Sequence, residues 1–520
     1  MYPPGTKFPV YCLECYRGDK WDPLSYGREY DFNHPFFSQY KELKSHVPRA
    51  ALVQQGELIG NEYCNRASYN KNCYMLIRAN YNEDSRYSYN LWDSRDSADC
   101  FNVHKSELAY GCIDSIDCYH VEHCQECRLC RNSKFLFDCR NCNDCVGCVG
   151  LRNKQYFILN QPYSKEEYEK ELDDLQLNTV SGANSFAAKF RELTEKCVRE
   201  STIATNCVNS SGNWLNDCKD VKNSFQCRQV ENGKNLLSVI EAKDCMDYSY
   251  WGRASELIYE TANCGYNSSR IRFVNESWDG CHDLTYCDNC YSSGVLFGCV
   301  GLRKKEYCIL NVQYTKEKYE EIVSKITAQM DSVPYMDAKG RTYKFGEFFP
   351  TELSASPYNM TAAYEHFPLT KEQATGQGYT WEDYKEKEYA VTRSWKDLPE
   401  DIASTDDKIL DEVILCETRD EFSDPNAIEE RNCTKAFRIT PEELNFYRKM
   451  NVPVPRQCFN CRHYERLKQR NPLKLWQRQC MCDLENHGHS GLCPNEFETS
   501  YSPERKEIVY CENCYNSEVV

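Results

Sequence analysis

From Asn61 to Leu151 every third residue is small, apolar or cysteine, running Asn61, Cys64, Ala67, Asn70, Cys73, Leu76 and so on to Cys139, Cys142, Cys145, Cys148 and Leu151. None of these 31 positions is charged, and all twelve cysteines of the stretch fall in this phase. In a chain that is 27% charged, about eight charges would be expected there. Such a period limits the fold more than any other property of the chain.

A period of three matches neither an amphipathic helix, at about 3.6, nor a half-buried strand, at about 2. Two architectures produce it: close-packed polyproline II helices, or a β-solenoid whose short sides each send one residue inward. The first needs glycine at every contact, and 23 glycines in 520 residues are too few. The sequence therefore predicts a solenoid whose in-phase residues stack into an inner ladder, with the intervening Asp, Asn, Arg and Tyr at corners and on outer faces. Cysteine spacings of nine, as in Cys130, Cys139 and Cys148, suggest that nine residues make half a turn or a whole one.

A second copy follows. The phase reads Leu215, Cys218, Val221, Ser224, Cys227 and Val230, continues through Gly233, Leu236, Val239, Ala242, Cys245, Tyr248, Trp251 and Ala254 to Leu257, slips near Cys264, and resumes at Trp278, Cys281, Leu284, Cys287 and Cys290. The copies align at an offset of 151, so that GCVGLR at 147–152 recurs at 298–303 and ILN at 158–160 recurs at 309–311. Runs such as Cys124, Cys127 and Cys130 resemble the start of an iron–sulfur ligand set, but the Cys-Pro ending is missing and the second copy has Asn275, Ser293 and Leu296 at matching positions. Buried thiols acting as small hydrophobes are the reading adopted.

The 34 cysteines, several in CxxC pairs, with no charged start followed by an apolar run, predict a reduced, cytoplasmic, metal-binding protein. No segment has the run of apolar residues a membrane helix needs. Residues Tyr2 to Tyr16, including Cys12 and Cys15, match Tyr501 to Tyr515, including Cys511 and Cys514, at an offset of 499. Cys12 and Cys15 are thus expected to be half of a metal site, with Met1 an internal methionine of a longer gene. Residues 17–60 are expected to cover the first open end of the solenoid.

The predicted fold is mainly β with α, a duplicated β-solenoid plus small zinc-ribbon or treble-clef modules. The expected parts are 1–60 (half a zinc ribbon and the cap), 61–160 and 207–311 (the two solenoid copies), 161–206 (linking helices), 312–410 (a helix and an aromatic-rich connector with a flexible break near Ser404 to Lys408), 411–479 (a treble-clef module) and 480–520 (a C-terminal zinc ribbon). Ser164 with Glu167, and Thr315, mark helix starts, and Phe186, Phe190, Leu193 and Cys197 share a helix face.

Zinc takes four ligands, and an all-cysteine shell leaves no place for water. Cys416, Cys433, Cys458 and Cys461 form one candidate set. Cys480 or Cys482, then Cys493, the hairpin FETSYSPERKEIVY, and Cys511 with Cys514 form another. His487 and His489 are read as a solvated loop, with a mixed site beside Cys458 and Cys461 as the alternative. Between Thr434 and Cys480 eleven Lys or Arg meet three Glu, a net +8 in a chain whose net charge is −16. Arg462, Arg466, Lys468, Arg470, Lys474 and Arg478 interleave with His463, Tyr464 and Trp476, a pattern suited to RNA as much as to a solvated face.

The phrases DKWDPLSYG, GEFFPTELS, FRITPEELNFYRKM and YCENCY together resemble a family of cysteine-rich zinc-ribbon proteins from candidate-phyla bacteria. The resemblance covers nearly the whole chain and implies zinc binding, with a further cysteine pair ahead of the segment that begins here. Some such sequences carry the name of the CaiB/BaiF CoA-transferase family, yet no acyl-accepting Asp stands in a recognisable frame. The function expected is a non-catalytic zinc-binding scaffold that contacts RNA, a ribosome-like particle or another protein. The rivals are a solenoid acyltransferase using His104, His120, His123 or His282, and an iron–sulfur or redox protein.

Overall fold

Short parallel strands return to register every twelve residues, pairing Asn65 with Ile77, Ile77 with Tyr89, Tyr89 with Phe101 and Phe101 with Ile113. A second face does the same, pairing Glu107 with Tyr119, Tyr119 with Arg131, Arg131 with Asn143 and Asn143 with Gln155. The repeating step is therefore twelve residues, four triplets, rather than nine or eighteen. The computed structural model describes residues 2, 5–227, 230, 256–261, 265, 267–278, 280–386, 388–421 and 425–519. The in-phase residues Gly233 to Ala254 and Cys264, and the side chains of Leu257 and Trp278, lie outside the described part.

Each triplet turns a corner through one residue of left-handed φ, such as Arg66 at 53°, Tyr69 at 52° and Asn72 at 53°, and the next residue points inward. Asn, Asp and Gly tolerate that conformation best. Their abundance at Asn90, Asp93, Asp96, Asp99, Asn102, Asp114 and Asp117 is the sequence's response to the corners. The corner and extended residues of a triplet make the interstrand bonds, as in Ile77 N–H to Ser88 C=O at 3.0 Å and Tyr81 N–H to Ser68 C=O at 3.1 Å.

Where the residue one step earlier is Ser, Asn or Cys, its side chain satisfies the inward residue's own N–H. Ser88 Oγ accepts from Cys100 N at 3.0 Å, Ser133 Oγ from Cys145 N at 3.1 Å and Asn70 Oδ1 from Asn82 N at 2.9 Å. Sulfur does the same, since Cys112 accepts from the Cys124 amide and Cys127 from the Cys139 amide. Thiols also donate: Cys100 Sγ reaches Ala98 O at 3.3 Å and Ala109 O at 3.4 Å. The nine-residue cysteine spacing is this last contact, as in Cys130 Sγ to Cys139 O at 3.4 Å. The ladder thiols are thus hydrogen-bonding groups of the backbone, which corrects the reading of them as plain hydrophobes. A buried amide must be paired. Cys, Ser and Asn are the small residues that can do it.

In the second copy the step is twelve between His282 and Gly294 and between Gly294 and Glu306, but thirteen between Ser269 and His282. The step from Glu256 to Ser269 is also thirteen and is the one that spans the slip read near Cys264; between the two added residues the inward phase runs through Ile271 and Val274, both fully buried. Each copy closes on an antiparallel turn and a capped helix. Ser164 and Glu167 form a capping box before Lys165–Asp174, and Thr315 caps Lys316–Ser332.

Of residues 17–60 only the last part covers the first end of copy one, where strand Gln54–Gln55 pairs with Asn65–Ser68 and the Gln54 amide donates to the carbonyls of Asn61 and Cys64 at 2.9 and 2.7 Å. Helix Phe36–His46 lies on the flank of copy two, where Phe36, Phe37 and Tyr40 join Phe273, Tyr286 and Phe297 in one apolar cluster. Helix Val180–Lys196 holds the matching place on copy one through Phe186. Gly147 (φ +66°) and Gly298 (φ +65°), 151 residues apart, are each overlaid by a ring, Phe186 and Phe36, that a Cβ would strike. Strand Val10–Tyr11 pairs with Arg49–Ala50 as Ile508–Tyr510 pairs with Val198–Glu200. The two ends of the chain therefore sit on the two copies in matching ways.

The connector is held in place, with Leu398, Ile402 and Ile409 in a cluster with Leu108, Tyr110 and Tyr447. The break expected at Ser404 to Lys408 is tied down, because Thr405 is buried and its carbonyl accepts from Arg448 at 3.1 Å. No helix among the described residues is long and apolar enough to cross a membrane.

Candidate metal centres and the cavity between the copies

Antiparallel strands Ile414–Leu415 and Ala436–Phe437 bring Cys416 and Cys433 beside Cys458, the N-cap of helix Phe459–Lys468, and Cys461 in its first turn. All four are buried, and their sulfurs lie within 4.8 Å of one another. Sulfur separations of 3.9 Å for Cys416 with Cys461 and 3.5 Å for Cys458 with Cys461 exclude a disulfide, whose bond is about 2.05 Å. They bracket the edge of about 3.8 Å that tetrahedral ligands at about 2.3 Å from an ion would have. The neighbouring thiols pull Cys458 well below its ordinary pKa, which favours the thiolate a metal needs. This cluster can hold a metal ion.

Cys480, Cys493, Cys511 and Cys514 form a second buried set within the same limit. Cys493 and Cys514 sulfurs are 3.7 Å apart, and Cys480 Sγ accepts from Cys511 N at 3.2 Å. Burial would raise the Cys511 thiol, but donors including the Asn495 amide bring it down to about 7. The supporting strands are not a hairpin of FETSYSPERKEIVY: Glu496–Thr499 pairs with Trp476–Gln479, while Ile508–Tyr510 pairs with Val198–Glu200. Cys482 stands outside the four. His487 and His489 face this cluster rather than Cys458 and Cys461, and they do not form a solvated loop. His487 Nδ1 lies 3.1 Å from Cys482 Sγ, and His489 Nε2 lies 3.4 Å from Cys514 Sγ.

Cys12 and Cys15 are exposed, and among the described residues they join no group of three or more ligands. Cys12 caps the short helix that follows, its sulfur accepting from Cys15 N at 3.4 Å. No cysteine among the described residues is in a disulfide. The ladder thiols are spread along the stacks and are in none of the three ligand groups, all of which lie beyond residue 415.

The six cations read as one basic face are not one face. Arg462 and Arg466 are turned inward onto Asp99, at 2.9 and 3.1 Å, and Arg470 onto Asp114 at 2.9 Å. They dock the region of the first four-cysteine cluster onto copy one, helped by His463, which stacks on Tyr89 with ring centroids 3.8 Å apart. Arg478 bonds the carbonyl of Ser502 at 3.3 Å. Lys468 and Lys474 stay exposed, over the rings of Tyr464 and Trp476. Clustered charge in sequence signalled an interface, but one within the chain.

Sequence reasoning missed a cavity of about 890 Å³ between the two copies. One wall is a column at twelve-residue spacing, Arg66, Arg78, Asn90, Asn102, Asp114, Glu126 and Asp138. Its six steps at about 4.8 Å give a groove about 29 Å long. The other wall takes Trp214, Asn216 and Gln226 from copy two, with Arg199, Glu200 and Tyr501. Eight Lys or Arg line it against five Asp or Glu. Burial and the Asp114 and Asp138 carboxylates push the Glu126 carboxyl up to about 8, and burial with Asp138 pushes Glu200 up to about 7.

Arg199 is notable because the duplication supplies its control. In copy two the equivalent Arg49 is buried against the Asp288 carboxylate at 2.6 Å. The residue matching Asp288 in copy one is Phe137, and Arg199 lies 3.8 Å above its ring. Arg199 donates through Nη2 to Thr194 O at 2.7 Å, while Nη1 is buried without a hydrogen-bond partner. The repeat was visible in the sequence, and the loss of the carboxylate could have been found from it.

The histidines considered as acyl-transfer bases do not converge. His104 stacks on Trp92 at the cavity wall, His120 Nδ1 meets Asn132 at 3.3 Å, His123 stacks on Phe135, and His282 pairs with Asp283 at 3.0 Å. No family model and no curated protein matches the chain. Among solved structures, one from Desulfovibrio desulfuricans G20, provisionally described as an acetyltransferase, aligns at 8% identity over 56% of this chain and 86% of its own, with a TM-score of 0.11. A likeness that slight carries no argument about fold or activity.

Proposed function

We propose that the protein is a non-catalytic scaffold: two β-solenoid copies, fastened by two zinc modules with Zn²⁺ at each four-thiol cluster, that hold an extended anionic ligand in the groove between them. The observation that carries the reading is Arg199, a buried guanidinium on the cavity wall whose counterpart has a carboxylate and which has none of its own. A buried cation with no directly bonded carboxylate is costly, and an incoming anion lowers that cost. Arg128 and Arg140, bridged neighbours on successive steps, add charge along the groove. Single-stranded RNA fits the chemistry best, because the aromatic side chains of Trp92, Trp214 and Tyr291 stand on the cavity wall among arginines that would meet phosphates. A closed four-cysteine shell leaves no open position on the metal, which supports a structural role.

Fluorescence anisotropy with labelled oligouridylate at about 50 and about 200 mM salt tests this. Binding that weakens with salt, drops about tenfold in Arg199→Leu and is unchanged in Lys468→Ala with Lys474→Ala is expected. Absence of binding, or loss only in the lysine variant, overturns the assignment of the groove.

A further inference from the structure

The C-terminal four-thiol set leaves three metal-binding side chains unused, and all three are packed against it. Cys482 is fully buried, and the His487 side chain has 0% exposure. His487 Nδ1 is 3.1 Å from Cys482 Sγ, while its Nε2 is buried without a hydrogen-bond partner. The ligand atoms of Cys482, His489 and Cys514 lie within 4.8 Å of one another, which makes a second ligand group that shares Cys514 with the first. Cys514 is the centre of the arrangement, since its thiol meets those of Cys480, Cys482, Cys493 and Cys511.

Two four-coordinate ions that share one ligand need seven donors, and the five thiols and two imidazoles here number seven. Resting on the reading of the four-thiol clusters as zinc sites, we propose that this module binds a second ion beside the first. The Cys514 thiolate bridges the pair, and Cys482, His487 and His489 complete the second shell. Binding releases the Cys482 thiol proton to solvent, and both imidazoles ligate in the neutral form. Without the second ion, Cys482 has the His487 imidazole and the Tyr510 hydroxyl beside it, and His487 Nε2 faces the Glu518 carboxylate at 3.6 Å, outside hydrogen-bond distance.

The test is metal content of the full chain by mass spectrometry after zinc loading and removal of free metal. Three ions per chain are expected, one at Cys416, Cys433, Cys458 and Cys461 and two in the C-terminal module. Cys482→Ser and His489→Gln should each bind two while keeping the wild-type far-ultraviolet circular dichroism. If Cys482→Ser does not fold, His489→Gln decides alone. In the cobalt-substituted protein a thiolate bridge couples the two ions, so the paramagnetic resonance signal per cobalt should be weaker than in the variants. Two ions in the wild type, or three retained in the variants, overturns the bridged pair and leaves the zinc reading standing. One or none sinks both.

Discussion

An inward amide without a strand partner favours Ser, Asn and Cys in ladders that Leu, Val and Ala also occupy. Ser88 makes the point testable, since its Oγ accepts from Cys100 N and donates to Arg86 O at 2.9 Å. Ser88→Ala leaves that amide unpaired and should cost about 1–3 kcal/mol in denaturant unfolding. Ser88→Cys should cost less than about 1 kcal/mol, since sulfur fills the same role elsewhere in the stack. Were the ladder merely apolar, the two substitutions would rank the other way. The triplet phase was fully legible in the sequence; the hydrogen-bonding reason for it was not, because Cys, Ser and Asn resemble one another only once the amide they serve is known. A second prediction concerns Glu126 and Glu200, whose carboxyls are held at about 8 and about 7. Raised carboxyls keep the folded state more protonated than the unfolded, so their contribution to stability falls as pH rises from the ordinary carboxylate range through those values. Anion binding in the groove should weaken over pH 7 to 8 as both ionise, measured by anisotropy with oligouridylate at fixed salt.

Helices and strands in this chain are placed by a few buried ion pairs. Burial alone would raise the Asp288 carboxyl, but Arg49 and Lys44 hold it at about 2. Asp288→Ala should destabilise by about 3–5 kcal/mol, because it strands a buried guanidinium. In the wild type the pair's contribution is present above the ordinary Asp range and is lost as pH falls towards 2. Arg462 and Arg466 play the same part for the region of the first four-cysteine cluster, and Asp99→Asn should loosen it from copy one, seen as faster amide exchange over 441–468 with the ladder strands unaffected. Helix caps at Ser164 and Thr315 were readable because they depend on neighbours in sequence. The destination of Arg462, Arg466 and Arg470 was not, because a run of charge does not say whether its partner is solvent, RNA or a carboxylate more than 300 residues away.

Over the whole molecule, the first and last segments of the chain hold the two copies by equivalent contacts. Tyr16 lies under Arg303, whose guanidinium is 4.5 Å from its ring, and Tyr515 accepts from Arg152 at 3.0 Å, the two arginines being 151 residues apart. The duplication and the repeated cysteine pairs were both evident in the sequence. That one repeat would sit on the other required the fold, since the N-terminal segment passes over copy one to reach copy two. Removing metal with a chelator should release the C-terminal module and its strand with Val198–Glu200, so limited proteolysis should first cut beyond residue 411 while both ladders survive as protected fragments. The ladders themselves set a rule for how such a chain can change length. A triplet may be lost without turning a charged residue inward, yet everything after it would be rotated by one side of the square, carrying Arg128, Glu126 and their neighbours out of the groove. Gains or losses of twelve residues preserve both phase and facing, whereas a single added residue, as in the thirteen-residue steps of copy two, keeps the facing only by shifting the phase. Lineages of this protein should therefore differ mainly by whole dozens, each lengthening the groove by about 4.8 Å.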